Sequence, residues 1–240
     1  MVKQRRWSDG VLSSIEQRNY LSFAANLRGL LESASDLYYS LRKVPLMTEH
    51  FALITQAVTG TLGEGMMQAG ELEEELIHYL YARRLRREEA DEYPDFHQAR
   101  PMSTDYIAAL EDATEGPIHS LYAELCQVVH PAMPSLLPFV APDPADPDTL
   151  VALLGAPETQ FISAMAHEHS SAIEETIGRS LGTCVVCLKI LNRFPVKELH
   201  TPMVETLDLT SMPGWRRVES LIAAAGEERS KPDAGKDILA

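Results

Sequence analysis

Apolar residues recur at alternating steps of three and four between residues 20 and 41, and this spacing constrains the fold more than any other feature. The residues of this stripe are Tyr20, Phe23, Leu27, Leu30, Ala34, Leu37 and Leu41. The spacing predicts one amphipathic helix whose apolar side faces a core. Three heptads are too few to require an extended coiled coil, so a helix of a bundle is the better interpretation.

The rest of the chain also has mainly helical spacing. Further helices are predicted over residues 47–58, 71–87, 104–130 (with Ser103 as N-cap and a restart at Gly116-Pro117) and 157–194, and a short one after Pro213. Four glycines between residues 60 and 70 predict a loop or a weak helix. Residues 131–157 form a proline-rich excursion with one short strand or none. We therefore predict an all-α helical bundle, with a single helical domain over 1–225 and a flexible tail over 226–240.

The composition argues against several classes of protein. The formal net charge is -14, whereas a general nucleic-acid binder needs a positive face for phosphate contacts. No apolar run approaches the ~18 residues of a membrane span, and no apolar signal segment follows the charged N-terminus. Three cysteines cannot build a disulfide framework in a chain of 240 residues. We expect a cytoplasmic protein without a membrane segment.

A basic run stands out against this acidic composition, and an acidic run follows it directly. The basic residues are Arg83, Arg84, Arg86 and Arg87, and the acidic ones are Glu88, Glu89, Asp91 and Glu92. We interpret the pair of runs as a solvated helix end with acidic compensation. A phosphate-binding strip is the alternative.

Cys184 and Cys187 form a Cys-x-x-Cys pair inside an apolar helical run. Burial at such a position raises the pKa of a thiol, whereas a redox pair needs a low one. Cys126 and His130, four residues apart, would complete a zinc ligand set, which is the alternative interpretation. Because no second Cys-x-x-Cys is present, we expect buried, apolar cysteines that bind no metal.

Two acidic segments contain histidines, one around residues 75–78 and the other around residues 167–169. Glu75 and His78 have the Glu-x-x-His spacing of di-iron bundle proteins, which need two such motifs and two further glutamates. The chain has no second motif, and His167 and His169 point about 200° apart on a helix. We therefore expect exposed, charge-rich helix turns, with no metal and no cofactor. Glycine-rich phosphate loops are also absent from the sequence.

The segment from Leu121 to Pro131 predicts the last turns of a helix that ends in a histidine. Pro131 prevents continuation, so His130 lies at the helix C-terminus, where the helix dipole favours a cation. One interpretation is a histidine that caps the last carbonyl groups. The other is a polar ring with a chemical role at the edge of an apolar surface.

Two segments together resemble a bacterial helical family near the HEPN superfamily. The first runs from Asn26 to Glu32 and contains Arg-x-Leu-Leu-Glu; the second, from Tyr122 to Pro131, has the form Tyr-x-x-Leu-Ser/Cys-x-x-Val-His-Pro. HEPN proteins are helical bundles. Many are dimeric ribonucleases of toxin–antitoxin and phage-defence systems, and others are non-catalytic binding modules. The resemblance covers about residues 15–135.

The chain departs from the HEPN nuclease pattern, in which an arginine precedes a histidine by four to six intervening residues on one helix. No arginine stands at that spacing before His130. Arg193 and His200 have the spacing, but Pro195 interrupts their helix. The resemblance therefore implies a HEPN-like fold more strongly than it implies nuclease activity.

We expect Arg28, Glu32, Tyr122 and His130 to lie in one neighbourhood, because the helices that carry them have matching apolar stripes. In a catalytic site, Arg28 would hold an oxyanion or phosphate and His130 would act as general acid or base. In a structural network, the four side chains would satisfy one another and fix how two helices dock.

The sequence thus predicts a cytoplasmic HEPN-like protein that acts through protein–protein contacts in a defence, stress or regulatory system. We expect a homodimer that associates through the helix at 20–41 or the helix at 162–191. The first alternative is a metal-independent ribonuclease that uses His130 and Arg28, although the net charge does not favour RNA. The second alternative is a zinc-stapled binding module.

Overall fold

The computed structural model describes residues 2–61, 70–130, 133–153 and 157–230, and helices dominate them. The helices are α1 (Val2–Glu16), α2 (Tyr20–Leu41), α3 (Phe51–Val58), α4 (Glu71–Tyr81), α5 (Ala108–Glu111), α6 (Ile118–Val129), α7 (Met133–Leu136), α8 (Glu158–Glu168), α9 (Ser170–Leu191), α10 (Pro202–Glu205) and α11 (Pro213–Ser230). A π-helical segment, Met102–Ile107, leads into α5, and short 3-10 segments occur at Val44–His50, Asp95–His97, Leu137–Phe139 and Lys197–Leu199. The predicted all-α fold class is confirmed. None of the described helices is long and apolar enough to cross a membrane.

The chain packs into two compact units. Unit 1 comprises Met1–Tyr39, Arg83–Tyr93 and Gln98–Leu181, and unit 2 comprises Ser40–Ala82, Pro94–His97 and Gly182–Ala240. The single domain expected over residues 1–225 stays a prediction, because two compact units can unfold together as one domain. The tail expected from residue 226 also stays a prediction. α11 continues to Ser230, and residues 231–240 lie outside the described part.

Each unit has its own apolar core. In unit 1, the stripe of α2 packs with α6 and α8 around Phe23, Leu27, Leu31, Leu121 and Leu125, all almost fully buried. Asn19 begins α2 as its N-cap, since its side-chain oxygen accepts the Ser22 N–H at 2.8 Å. The core of unit 2 forms around Ile190, Phe194, Trp215 and Val218.

The N-terminal helix α1 was not predicted, and it docks onto α2 through both polar and apolar groups. Gln4 and Ser14 are its buried residues. Gln4 donates from its amide to the backbone carbonyl of Ser33 at 3.2 Å, and Asn26 donates to the hydroxyl of Ser14 at 2.9 Å. Trp7 and Val11 pack against the core of unit 1. Polar and charged residues outnumber the apolar ones in α1, which weakens the apolar signal of this helix.

Two predicted helix boundaries are wrong. The helix expected over 71–87 ends at Tyr81; beyond it the backbone forms a parallel bridge between Arg83 and Gln98, which requires extended geometry. The helix expected over 157–194 is interrupted at His169, whose φ of -105° and ψ of 20° end α8. The apolar residues keep helical spacing through both positions, so the spacing could not predict either helix end.

The predicted N-cap and the predicted start of one helix are wrong, and part of the glycine-rich stretch lies outside the described residues. Pro101, not Ser103, takes the N-cap position of the π-helical segment, and the Ser103 hydroxyl lies 3.0 Å from Nε2 of His119 instead. The predicted helix at 47–58 begins as 3-10 helix at Val44 and becomes α3 at Phe51. Residues 62–69 of the glycine-rich stretch are not among the described residues.

The proline-rich excursion contains a β-hairpin, where at most one short strand was expected. β1 (Val140–Asp143) and β2 (Asp146–Ala152) pair antiparallel, with Val140 opposite Ala152 and Pro142 opposite Leu150. A register irregularity follows Pro142, next to the turn. Prolines weaken the sequence signal of a strand, and here Pro142 is tolerated because a two-stranded sheet consists of edge strands.

We predict that Gly29→Ala destabilises the protein through Trp7. A Cβ at Gly29 would lie 2.8 Å from three atoms of the Trp7 indole, and such overpacking outweighs the gain of roughly 1 kcal/mol in helix propensity. Chemical denaturation should show a loss of about 1–2 kcal/mol in free energy of unfolding. In a Trp7→Ala background, the same change should be neutral or stabilising. Equal effects in the two backgrounds would contradict the close approach.

Candidate functional site

A polar cluster joins α2 to α6 and contains three of the four predicted site residues. On α2, Nε of Arg28 lies 2.8 Å from Oε1 of Glu32, one helical turn away. The Tyr122 hydroxyl of α6 donates to the same Glu32 oxygen at 3.2 Å. The Arg28 guanidinium lies 5.8 Å from the centroid of the Tyr122 ring. We call Arg28, Glu32 and Tyr122 the Arg28 cluster.

The electrostatics of the Arg28 cluster keep the Tyr122 hydroxyl neutral and the Arg28 guanidinium charged near neutral pH. Burial, assisted by the negative charge of Glu32, raises the pKa of Tyr122 to about 12. Burial lowers the pKa of Arg28, but the hydrogen bond and charge of Glu32 outweigh burial and leave this pKa above its usual value. The cluster therefore contains a neutral phenol and an arginine whose charge a carboxylate balances.

His130 lies outside the Arg28 cluster. It is the C-cap of α6, and its backbone N–H bonds to the Cys126 carbonyl at 3.0 Å. It follows Tyr122 by eight residues, about 12 Å along the helix axis. The side chain is exposed, and it makes no hydrogen bond to the described residues. The structure thus brings Arg28, Glu32 and Tyr122 together and leaves His130 at the end of the same helix.

A second polar contact on α6 was not predicted. Glu124 accepts a hydrogen bond from Nε2 of His169 at 2.7 Å. His169 is only 4% exposed, and among the described residues its Nδ1 has no hydrogen-bond partner. The separation of 45 positions along the chain explains why this contact was not predicted. The available signal was a histidine within the apolar stripe of a long helix.

The expectation of an exposed turn around Glu75 and His78 is wrong. Both residues are buried in unit 2, at 5% and 1% exposure. Nδ1 of His78 lies 2.8 Å from the Phe96 carbonyl, so this nitrogen is the donor, and Lys43 lies 3.5 Å from Glu75. Glu75 and His78 are therefore satisfied by protein groups, which supports a structural role.

Cys184 and Cys187 are buried in unit 2, as predicted. Burial raises the pKa of both thiols, that of Cys187 to about 12, so neither is poised for redox chemistry. Cys126 and His130 belong to unit 1. Within the described ranges, the one set of three ligand atoms close enough to share an ion consists of Glu124, Glu168 and His169, without a cysteine.

The acidic residues that follow the arginine run do pair with it, although the run lies beyond the end of α4 and not on a helix. Arg83 makes two hydrogen bonds to the Glu89 carboxylate, at 2.8 and 3.0 Å, and the Arg86 backbone N–H makes a third at 2.8 Å. The bond from Arg83 is the main reason that the pKa of Glu89 falls to about 2. This pairing favours the solvated interpretation over a phosphate-binding strip.

A polar pocket of about 210 Å³ lies in unit 2 and has two cations in its lining. Lys189 and Arg193 lie 5.4 and 5.7 Å from the Trp215 ring centroid, so both cations stack on this buried tryptophan. Arg193 is also 3.6 Å from Glu219, and Lys189 donates to the Leu207 carbonyl. Internal contacts thus occupy both cations.

Comparison with family models, with curated proteins and with solved structures found no match to this chain.

We predict that the Tyr122 hydroxyl loses its proton only at high pH, because burial and the charge of Glu32 raise its pKa. Its pKa of about 12, like that of the buried Tyr106, lies above the ordinary value of 10.0. The fold therefore favours the neutral phenol, and this contribution to stability is complete below about pH 10 and lost as the pH rises through 12. In a titration followed by phenolate absorbance, Tyr122→Phe should lose one of the ionisation steps that occur near pH 12. Glu32→Gln should move one of these late steps to lower pH.

The control for this titration is Glu174→Gln, which removes an exposed carboxylate elsewhere and should leave the late steps unchanged. An unchanged number of late steps in Tyr122→Phe would contradict the assignment.

Proposed function

We propose that the chain is a cytoplasmic HEPN-like helical protein that acts as a homodimer through protein–protein contacts, in a defence, stress or regulatory system. The observation that carries this proposal is a set of four exposed, large apolar side chains between residues 129 and 150. Val129, Leu136, Leu137 and Leu150 are 37%, 56%, 54% and 57% exposed. A concentration of large apolar side chains on the surface is typical of a protein-binding site.

The two helices expected at the interface offer less apolar surface. The stripe of α2 is buried in the core of unit 1 from Tyr20 to Leu37, so it cannot contact a second copy. On α9, Ile177 and Leu181 are 37% and 43% exposed. We therefore assign the interface to Val129, Leu136, Leu137 and the hairpin.

The hairpin has an unpaired backbone edge in addition to its apolar side chains. Leu153 donates its backbone N–H to the Phe139 carbonyl at 2.8 Å. By the alternation of an antiparallel ladder, the backbone groups of Leu150 and Ala152 then point away from β1. Pro142, which has no N–H to donate, lies opposite Leu150, in agreement with this alternation. Hence β2 can accept another antiparallel strand.

A second copy of β2 fits this edge about a twofold axis at Thr149. In that register, Asp148 faces Leu150 of the second copy and Asp146 faces Ala152, so no aspartate opposes another. The product would be a four-stranded antiparallel sheet, and an isolated two-stranded hairpin is only marginally stable in water. These features support a twofold dimer over an unrelated partner.

The Arg28 cluster supports a binding role over the ribonuclease alternative. Glu32 balances the charge of Arg28, and Tyr122 covers one face of its guanidinium. A phosphate would therefore have to displace a carboxylate that already holds the arginine. The exposure of His130 is the observation that favours the ribonuclease, since an accessible imidazole can act as general acid or base at neutral pH.

We predict that light scattering at micromolar concentration gives about twice the chain mass of 26.6 kDa. Leu150→Asp should yield the monomer, because the new aspartate would face Asp148 of the second copy and remove apolar contact. Leu12→Asp is the matched control: Leu12 is 60% exposed, close to the 57% of Leu150, but lies on α1. This variant should remain dimeric.

Two outcomes would contradict the proposal. A wild-type monomer across the micromolar range would refute the homodimer, and equal effects of Leu150→Asp and Leu12→Asp would refute the hairpin edge as the interface. Cleavage of single-stranded RNA by the wild type, lost in His130→Ala, would instead establish the ribonuclease. The same preparations serve both assays.

A further inference from the structure

We propose that Glu124, Glu168 and His169 form a binding site for a divalent transition-metal ion of the zinc class. The three side chains offer one nitrogen and two carboxylate oxygens, and these ligand atoms lie within 4.8 Å of one another. All three residues belong to unit 1, and the site is independent of the proposed dimer.

The junction between α8 and α9 places two of the ligands. Adjacent residues on a regular helix point about 100° apart and do not converge. Glu168 is the last residue of α8, and His169 leaves helical geometry with a φ of -105° and a ψ of 20°. The interruption lets both side chains face Glu124 of α6. The apolar spacing of this segment continues through the interruption, so the break depends on the backbone geometry at His169.

His169 is the group that distinguishes this site from a cluster of surface acids. Its side chain is almost completely buried, and its ring is directed at Glu124 through Nε2. Nδ1 has no hydrogen-bond partner among the described residues, so the contact from Nε2 to Glu124 is the one side-chain bond that orients this buried ring.

The charges of the site favour a dication. Two carboxylates close together repel each other, and the one imidazole neutralises at most a single negative charge. Neither Glu124 nor Glu168 forms an ion pair with a lysine or arginine in the described part of the chain. A bound divalent ion would balance both carboxylates at once.

The ligand types select the class of metal. Imidazole nitrogen suits zinc and its transition-metal neighbours, whereas magnesium and calcium prefer sites built only from oxygen. Two ligands of a tetrahedral zinc ion are about 3.3 Å apart, compared with 2.7 Å between Nε2 and Oε2 now. Glu124 is 39% exposed, so its side chain has room for this small shift. Three protein ligands leave one position for water.

Isothermal titration calorimetry tests the site: Zn²⁺ is titrated into the metal-free full chain, which carries no histidine tag. We expect saturable binding of one ion per chain. Glu168→Gln and Glu124→Gln should each weaken the affinity about tenfold or more. Glu174→Gln and His167→Gln are matched controls, because they change an exposed acid of α9 and the exposed histidine beside the site. Both should bind like the wild type, and Mg²⁺ should give no saturable signal.

The proposal is overturned if Zn²⁺ does not bind, if both site variants bind as tightly as the wild type, or if His167→Gln abolishes binding. Comparable binding of Mg²⁺ would reduce the site to a generic acidic surface. Since Glu124 and Glu168 are partly or fully exposed, the variants should fold, and circular dichroism of each checks this point.

Discussion

The packing of α6 against α2 is the contact on which the rest of unit 1 depends. Ile118, Leu121 and Leu125 of α6 are at most 1% exposed, and they share one cluster with Leu27 and Leu31 of α2. Burial of one such side chain stabilises a fold by about 1.5–3 kcal/mol. Because this apolar side fixes the rotation of α6, it also fixes the directions of the polar residues at its margins. Tyr122 then meets Glu32, and Glu124 meets His169.

The two polar contacts of α6 have different chemical consequences. Around Arg28, every charge has an opposite partner, and the phenol of Tyr122 remains protonated. Such a network fixes how two helices dock. Around His169, a buried imidazole meets two carboxylates, with one ring nitrogen unpartnered among the described residues. The proposed ligand site lies at the second contact, because an imidazole and two carboxylates converge there.

The parts of the fold that were predicted are those with apolar periodicity. The stripe from Tyr20 to Leu41 gave the bounds of α2, and the turns before His130 gave the end of α6. In α1, polar and charged residues outnumber the apolar ones, which weakens this pattern. The interruption at His169 and the end of α4 depend on backbone geometry and on a bridge to Gln98, which leave no trace in residue spacing.

The candidate site was predictable to the same extent. Arg28 and Glu32 are four apart on one helix, a spacing at which opposite charges pair. Their contact with Tyr122 followed from the expected adjacency of two apolar stripes. His130 was expected in the same cluster, but it follows Tyr122 by eight residues on one helix, and its side chain makes no hydrogen bond to the described residues. The pairing of Glu124 with His169 requires the break between α8 and α9.

Equilibrium unfolding of Leu125→Ala and Leu12→Ala tests most directly whether α6 organises unit 1. Both residues are helical leucines, but Leu125 of α6 is fully buried and Leu12 of α1 is 60% exposed. Loss of a buried leucine side chain costs about 2–5 kcal/mol, whereas loss of an exposed one should cost less than about 1 kcal/mol. Losses of equal size in the two variants would contradict the packing of α6 against α2 described above.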